Sequence, residues 1–300
     1  MSGAVVTVGT FDGVHRGHRA VLTEIARRAK SQGLSSLLVT FEPHPLEVVN
    51  PAAAPRLLTL PAEKRELLAR TEVDRVVELP FTKELSQLPP EAFVRDILRA
   101  RFEMRELVLG FDHGFGRGRT GDVALLRELG ASDGFGVDVV NPVMDGGQPI
   151  SSTLIRTGLA HGHLDQVAGW LGRRYAILGE VVKGAGRGRT IGVPTANLAT
   201  PDPRKLLPPD GVYAVRVTWR GGTFGGMMNQ GSRPTFGLEA RVLEVHLFDF
   251  SGDLYGQPVT VEWVRRLRDV QAFPGRDALV AQLERDRIAA RACLDEVGGS

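Results

Sequence analysis

Cysteine is nearly missing from this chain of 300 residues, with Cys293 the single one. One thiol excludes an intramolecular disulfide framework and a cysteine-based metal cluster. Such scarcity suits a reducing cytoplasm, and Cys293, in an apolar helical pattern, reads as buried filler. No run of about 18 apolar residues occurs, so no membrane span is expected. A basic excess is also lacking: 37 Lys and Arg stand against 35 Asp and Glu, for a net charge of +2. Nucleic-acid binders gather basic residues into a stripe or arm, so no nucleic-acid partner is expected. Met1 to Val8 lack the basic and apolar regions of a signal peptide and read as the approach to a first strand. The P-loop pattern G-x-x-x-x-G-K-S/T is absent. No Ser/His/Asp set has a context for a covalent intermediate, which leaves a hydrolase unsupported.

What remains is a globular composition, 42% hydrophobic and 24% charged, with a length that fits two domains of roughly 100–200 residues each. From residue 4 to about 141, short runs rich in Val and Leu (Ala4–Val8, Ser36–Phe41, Arg75–Leu79, Glu106–Phe111, Val137–Asn141) alternate with runs of helical spacing such as Val21, Leu22, Ile25, Ala26, Ala29 and Phe93, Val94, Ile97, Leu98. That alternation predicts a parallel sheet with helices on both faces. Helical runs Ser152–Ala160 and Leu164–Leu171 follow. Near Arg173 the pattern changes. Arg174–Lys183, Val212–Trp219, Thr223–Asn229, Val242–Phe248 and Val259–Arg266 read as strands divided by Gly- and Pro-rich turns, which predicts a closed antiparallel barrel. Pro274–Val297 reads as a terminal helix. The expected division is therefore 1–172 and 173–300.

The first strand runs into Val8-Gly9-Thr10-Phe11-Asp12-Gly13-Val14-His15-Arg16-Gly17-His18, ahead of a helix. At the carboxyl end of a first parallel strand, a ligand meets the unpaired N–H groups and positive dipole end of that helix, which suit phosphate. Glycines let the backbone approach closely. His15 and His18 can donate to phosphate oxygens and stabilise attack at an α-phosphate. A lone H-x-x-H is as readily an ordinary helix cap; the strand, the G-x-F-D-G and the helix together set this one apart. Further stretches fall on the same expected edge or just beyond it: Phe41-Glu42-Pro43-His44-Pro45, Gly110-Phe111-Asp112-His113-Gly114 and Ser151-Ser152-Thr153-Leu154-Ile155-Arg156.

The His15–His18 run resembles the H-x-G-H signature of the nucleotidyltransferase superfamily. With the other three stretches it looks like the FMN adenylyltransferase module of prokaryotic bifunctional riboflavin kinase/FAD synthetases. The resemblance implies a Rossmann-like domain with an ATP site at Gly9, Phe11, Asp12, Gly17, His18, Ser152, Thr153 and Arg156, with His15 and His18 catalytic. It implies flavin contacts at Phe41, Pro43 and Asp112. The family usually has an aromatic and then a polar or basic residue after that Asp; here they are His113 and Gly114.

In the second half, Gly184-Ala185-Gly186-Arg187-Gly188-Arg189-Thr190-Ile191-Gly192 forms a Gly/Arg-rich loop able to wrap polyphosphate with backbone N–H groups. Pro194-Thr195-Ala196-Asn197 follows, and Thr and Asn supply neutral oxygens suited to Mg²⁺. Next come Asn229-Gln230-Gly231-Ser232-Arg233-Pro234-Thr235-Phe236, then Glu244-Val245-His246, then Leu254-Tyr255-Gly256. The series resembles the riboflavin kinase domain, a six-stranded barrel. It implies an ATP site at Gly184, Gly186, Gly188, Arg189, Gly192, Pro194, Thr195 and Asn197. Thr195 and Asn197 would hold Mg²⁺, and Glu244 would be the catalytic base. Gln230 stands where the family usually has an aliphatic residue. Riboflavin, FMN, FAD and ATP are the implied ligands, with Mg²⁺ entering alongside ATP. A kinase-only enzyme with a degenerate first domain is the alternative. A flavin-responsive regulator is disfavoured because no helix-turn-helix pattern is present.

Overall fold

Residues on successive positions of the first strands turn to opposite apolar layers, and this makes the first half of the chain a sheet buried on both sides. The computed structural model describes residues 3–111, 122–184, 193–199, 201–235 and 238–298. Its contacts divide the chain into two units, Met1–Ser152 and Thr153–Ser300.

The first unit runs β1 (Ala4–Val8), α1 (Arg16–Gln32), β2 (Ser35–Glu42), α2 (Pro45–Val49), α3 (Pro61–Leu68), β3 (Arg75–Pro80), α4 (Lys83–Gln87) and α5 (Pro90–Ala92). A wide helical turn, Phe93–Arg99, leads to β4 (Met104–Gly110), α6 (Val123–Asp133), β5 (Gly136–Val140) and a small hairpin of β6 (Met144–Asp145) and β7 (Gln148–Pro149). The five long strands lie in the order β3-β2-β1-β4-β5, all parallel. Ala4, Val6, Val8, Leu37, Val39, Leu107 and Leu109 face one layer, with Phe93, Val94, Leu98, Leu126 and Leu129. Val5, Leu38 and Val108 face the other, with Leu22, Ile25 and Ala29 of α1. Burial on both faces explains why these strands read as near-continuous apolar runs. Strand order reverses at β1, so the crevice for a ligand opens at the carboxyl ends of β1 and β4.

The second unit begins at Thr153, one residue into α7 (Ser152–Ala160), and continues with α8 (Leu164–Leu171). Leu164, Val167, Trp170 and Leu171 are buried, and α8 touches β13. Six strands then close a barrel: β8 (Ala176–Val182), β9 (Ala196–Leu198), β10 (Gly211–Trp219), β11 (Gly222–Thr235), β12 (Leu238–Leu247) and β13 (Pro258–Arg268). Their order is β10-β11-β12-β9-β8-β13, antiparallel throughout. Helix α9 (Arg276–Gly298) completes the chain.

Tyr213, Val215, Met228, Leu243, Val245, Val261 and Trp263 are all buried to within 1% and fill the barrel. The alternate face carries Ala214, Met227, Phe248 and Val264, which pack with Ala290 and Cys293 of α9. Cys293 is thus the buried filler its pattern predicts. A parallel sheet followed by a six-stranded antiparallel barrel and a terminal helix is the architecture expected from the sequence. Pattern-reading misses the two-residue strands β6 and β7 and, in the barrel, β9, three residues long; all are too short to show a period.

Candidate active sites

The loop after β1 is built by buried side chains. Phe11, Gly13 and Val14 all take positive φ, at 49°, 85° and 40°. Phe11 and Val14 are held there because their side chains enter the core layer beneath α1. The Asp12 carboxylate accepts from the backbone N–H groups of Leu58 (2.9 Å) and Thr59 (2.8 Å) and from the Thr59 hydroxyl (3.0 Å). The N–H of Gly13 donates to that same hydroxyl at 3.0 Å. Asp12 therefore ties the loop to residues 58 and 59. At Gly9, the loop's first residue, the N–H donates to Val39 O at 3.1 Å.

His15 is the N-cap of α1, its Nδ1 accepting from the His18 N–H at 3.3 Å. The two imidazoles stack with centroids 3.6 Å apart, and Phe11 lies against His18 at 4.7 Å. Gly17 permits this stack: a Cβ there would stand 3.1 Å from the His15 ring and 3.3 Å from the Ile150 carbonyl oxygen. The Ser152 hydroxyl donates to the Asp12 carbonyl at 3.0 Å, joining that residue to the loop. Thr153, exposed, and Arg156, half-buried, stand on α7 in the second unit.

Phe41, next to last in β2, lies beside Phe81 and Phe93, and Pro43 follows the strand. Thr10, Asp12, Phe41, Glu42, His44, Leu57, Thr59 and Lys64 line a small void of about 10 Å³, the size of one water. Lys64 is a feature that sequence reading missed. It is 5% exposed, and its Nζ donates to the Phe41 carbonyl at 3.0 Å. Burial pushes its ammonium below the usual lysine range, against the opposing pull of Glu42, Glu78 and Asp12. Asp112 lies outside the described residues.

On the barrel, register assembles the second site. Asn229 of β11 is opposite Glu244 of β12, which is opposite Asn197 of β9. Directly paired residues share a face, so the three form a polar row across three strands. Asn197 pairs in turn with Val182 of β8. Gly184 lies where the chain passes the Asn197 amide so closely that a Cβ would stand 2.1 Å from its Nδ2. Sequence reading named Gly184, Asn197 and Glu244 separately; the fold brings them together. Pro194 and Thr195 lead into β9. Gly186, Gly188, Arg189 and Gly192 lie outside the described residues.

A cavity of about 340 Å³ opens on this face, lined by Thr195, Asn229, Glu244 and His246 from the barrel and by Leu279 and Leu283 from α9. Its size falls within the range of small-molecule sites. The segment after β13 supplies Val270, Gln271 and Phe273. Arg268 and Asp286 also line it and latch α9 to the end of β13: Nε donates to both Asp286 oxygens at 2.9 and 3.1 Å, and Nη2 at 2.6 Å. Gln282 adds a bond to Asp286 at 2.8 Å.

Gln230, the departure noted in the sequence, faces the barrel interior and is wholly buried. Its Nε2 donates to the Pro208 carbonyl at 2.6 Å, and its Oε1 accepts from Trp263 Nε1 at 3.2 Å. A polar residue is kept there because both ends of its amide are matched.

The FAD synthetase family matches residues 1–154 and the riboflavin kinase family residues 171–294. The bifunctional riboflavin kinase/FMN adenylyltransferase of Escherichia coli (strain K12) is 40% identical over 290 residues, covering 96% of this chain and 92% of that one. The protein of the same name from Pseudomonas fluorescens is 40% identical over 291 residues, covering 97% and 93%. A crystal structure described as a macrolide-efflux protein from Streptococcus pneumoniae superposes with a TM-score of 0.88 at 34% identity, over 97% of this chain and 94% of that one. Efflux is said of that protein; among the described residues here no helix is long and apolar enough to cross a membrane. On identity and coverage together, this chain belongs to the family of bifunctional riboflavin kinase/FMN adenylyltransferases.

Proposed function

We propose that the chain makes FAD from riboflavin in two steps, the barrel phosphorylating riboflavin to FMN and the sheet unit adenylylating FMN with release of pyrophosphate. The observation that carries this reading is the pair of sites in one chain: a polar row on a cavity of about 340 Å³, and a histidine stack at the carboxyl edge of a parallel sheet. Glu244 takes the proton of the ribityl 5′-hydroxyl as that oxygen attacks the γ-phosphate of ATP. Thr195 and Asn197 offer neutral oxygens of the kind Mg²⁺ takes, and the cation supplies charge neutralisation on the ATP phosphates. Gly184 and the glycines and Arg189 after it, with Pro194, form the ATP side of that site.

In the second step the FMN phosphate attacks the α-phosphate of ATP. His15 and His18 donate to oxygens whose charge grows in the transition state. Gly9, Phe11, Asp12 and Gly17 shape the loop that presents them, and Ser152, Thr153 and Arg156 are the further ATP contacts. Phe41, Pro43 and Asp112 contact the flavin. The near absence of cysteine and the use of ATP in both reactions support a cytoplasmic setting. The functional boundary is taken at 172/173, but a fragment carrying the barrel alone should start at Thr153, since α7 and α8 group with it.

The test is incubation with riboflavin, ATP and Mg²⁺ and separation of the flavins over time. FMN should appear first and FAD after it, with ADP and pyrophosphate as co-products. FMN that accumulates without FAD at high ATP would leave a kinase alone.

A further inference from the structure

The E-x-H pattern on β12 contains a histidine to which the reaction so far gives no part. Side chains alternate along a strand, so Glu244 and His246 point to one face, and both line the cavity. Asn229 lies opposite Glu244 and Met227 opposite His246. His246 Nδ1 stands 2.7 Å from the Pro194 carbonyl oxygen. A carbonyl can only accept, so at this distance Nδ1 carries the proton. The bond spans 52 residues of chain. It grips the peptide that joins Pro194 to Thr195, just before β9 brings Asn197 opposite Glu244. The β12–β9 ladder pairs only Glu244 with Asn197 and Val245 with Ala196, so backbone pairing stops at Ala196. One residue further out, His246 continues the attachment with its side chain. Phe248 stands edge-on to the imidazole at 5.8 Å and limits its rotation.

We propose that His246 is a positioning residue for phosphoryl transfer: its Nδ1–H strut to Pro194 fixes the Thr195 hydroxyl beside the Glu244 carboxylate. The inference rests on the reading of this cavity as the kinase site. It separates His246 from a residue that contacts riboflavin, although the imidazole lines the same cavity. Displacement of a reacting group by about 1 Å can cost roughly a hundredfold in rate, so loss of the strut acts mainly on turnover.

The experiment has two arms on the full-length protein. In the first, nitrogen-15 NMR of the imidazoles, with His246→Asn used to assign the signal, reads the tautomer of His246. A protonated Nδ1 is expected; a neutral ring protonated at Nε2 overturns the strut. In the second, kinase kinetics are measured for His246→Ala, His246→Asn and His246→Gln, each checked for a cooperative melt. Asn carries its amide nitrogen the same number of bonds from Cα as Nδ1, and Gln carries it one bond further out. His246→Ala and His246→Gln should lower kcat roughly tenfold to a hundredfold, with the riboflavin KM within about twofold. His246→Asn should recover most of the loss. Conversion of supplied FMN to FAD should not change in any of the three. A raised riboflavin KM at unchanged kcat would make His246 a flavin contact and overturn the proposal. Equal loss in the Asn and Ala variants would overturn it as well. Failure of the unsubstituted protein to make FMN would instead remove the kinase reading itself.

Discussion

The two units present their proposed phosphate sites in opposite ways. In the sheet unit the site is a short loop whose side chains are already used: Asp12 by Leu58 and Thr59, His15 by the His18 N–H, Phe11 and Val14 by the core. What it offers a ligand is an edge, with a helix N-terminus and a small void of about 10 Å³. In the barrel unit the site is a cavity of about 340 Å³ between one face of the strands and α9. An edge suits a reaction between two phosphorylated molecules that bring most of their own contacts. A cavity suits a neutral, apolar ring system whose hydroxyl must be aimed. The same contrast says that each site depends on residues of its own, and this can be broken by crossed substitutions.

The largest effect is expected there. Glu244→Gln keeps size and most hydrogen bonding but would remove the proposed base, and phosphorylation of riboflavin should fall by roughly 10²–10⁴. Conversion of supplied FMN to FAD should persist. His18→Ala should do the reverse, lowering adenylylation by roughly 10²–10³ and leaving phosphorylation intact. A substitution that lowers both reactions equally in a folded protein would mean that the two sites share machinery.

Much of this was legible beforehand. The bounds of β1, α7 and α8 coincide with their apolar runs, because both faces of β1 and one face of each helix are buried. The residues of the polar row were legible as motifs, since Asn229, Glu244 and Asn197 each sit in a short pattern of unusual composition. Their adjacency was not, because it is set by register across β11, β12 and β9. Lys64 was hidden for a different reason. In Pro61-Ala62-Glu63-Lys64-Arg65-Glu66 it reads as one more solvated helical charge, and only the carbonyl at the end of β2 makes it a buried one. The Arg268–Asp286 latch joins residues 18 apart across a turn and α9, a pairing that no helical or strand period encodes.

Gln230 sharpens the comparison at the level of stability. Trp170, Trp219 and Trp263, with Tyr175, Tyr213 and Tyr255, all lie in the second unit, and the first has neither residue. Tryptophan fluorescence therefore follows the second unit alone. Gln230→Leu leaves the buried Trp263 Nε1 without its acceptor and should cost the barrel roughly 1–3 kcal/mol. Adding Trp263→Phe removes the orphaned donor, so the double variant should lose less than the sum of the two single ones. Additive losses would show that the Gln230–Trp263 bond contributes nothing of its own.

The smallest effect belongs to the sheet unit and is read in acid. On α1, Glu24 accepts from Arg27 Nη2 at 2.7 Å and from Arg28 Nε at 2.6 Å. Hydrogen bonding from Arg27 first, and then from Arg28, holds the Glu24 carboxyl down at about 2, against an ordinary value of 4.5. A carboxyl lowered in the folded state stabilises the fold fully above its unfolded value and loses that contribution as pH falls toward its folded one. The window is therefore from about pH 4.5 down to about pH 2. Solvent screens this helix-surface pair, so the effect is small. Arg28 also binds Glu106 and Asp138 across β4 and β5, and the Asp138 carboxyl is held low as well, first by the Val139 N–H and then by Arg28. Glu24→Gln should thus flatten, without abolishing, the fall in melting temperature across that window when helix content is followed by circular dichroism. Tryptophan fluorescence should report the same barrel transition with and without the substitution. An unchanged acid slope would remove Glu24 from the account, and a shifted fluorescence transition would mean that the two cores melt as one.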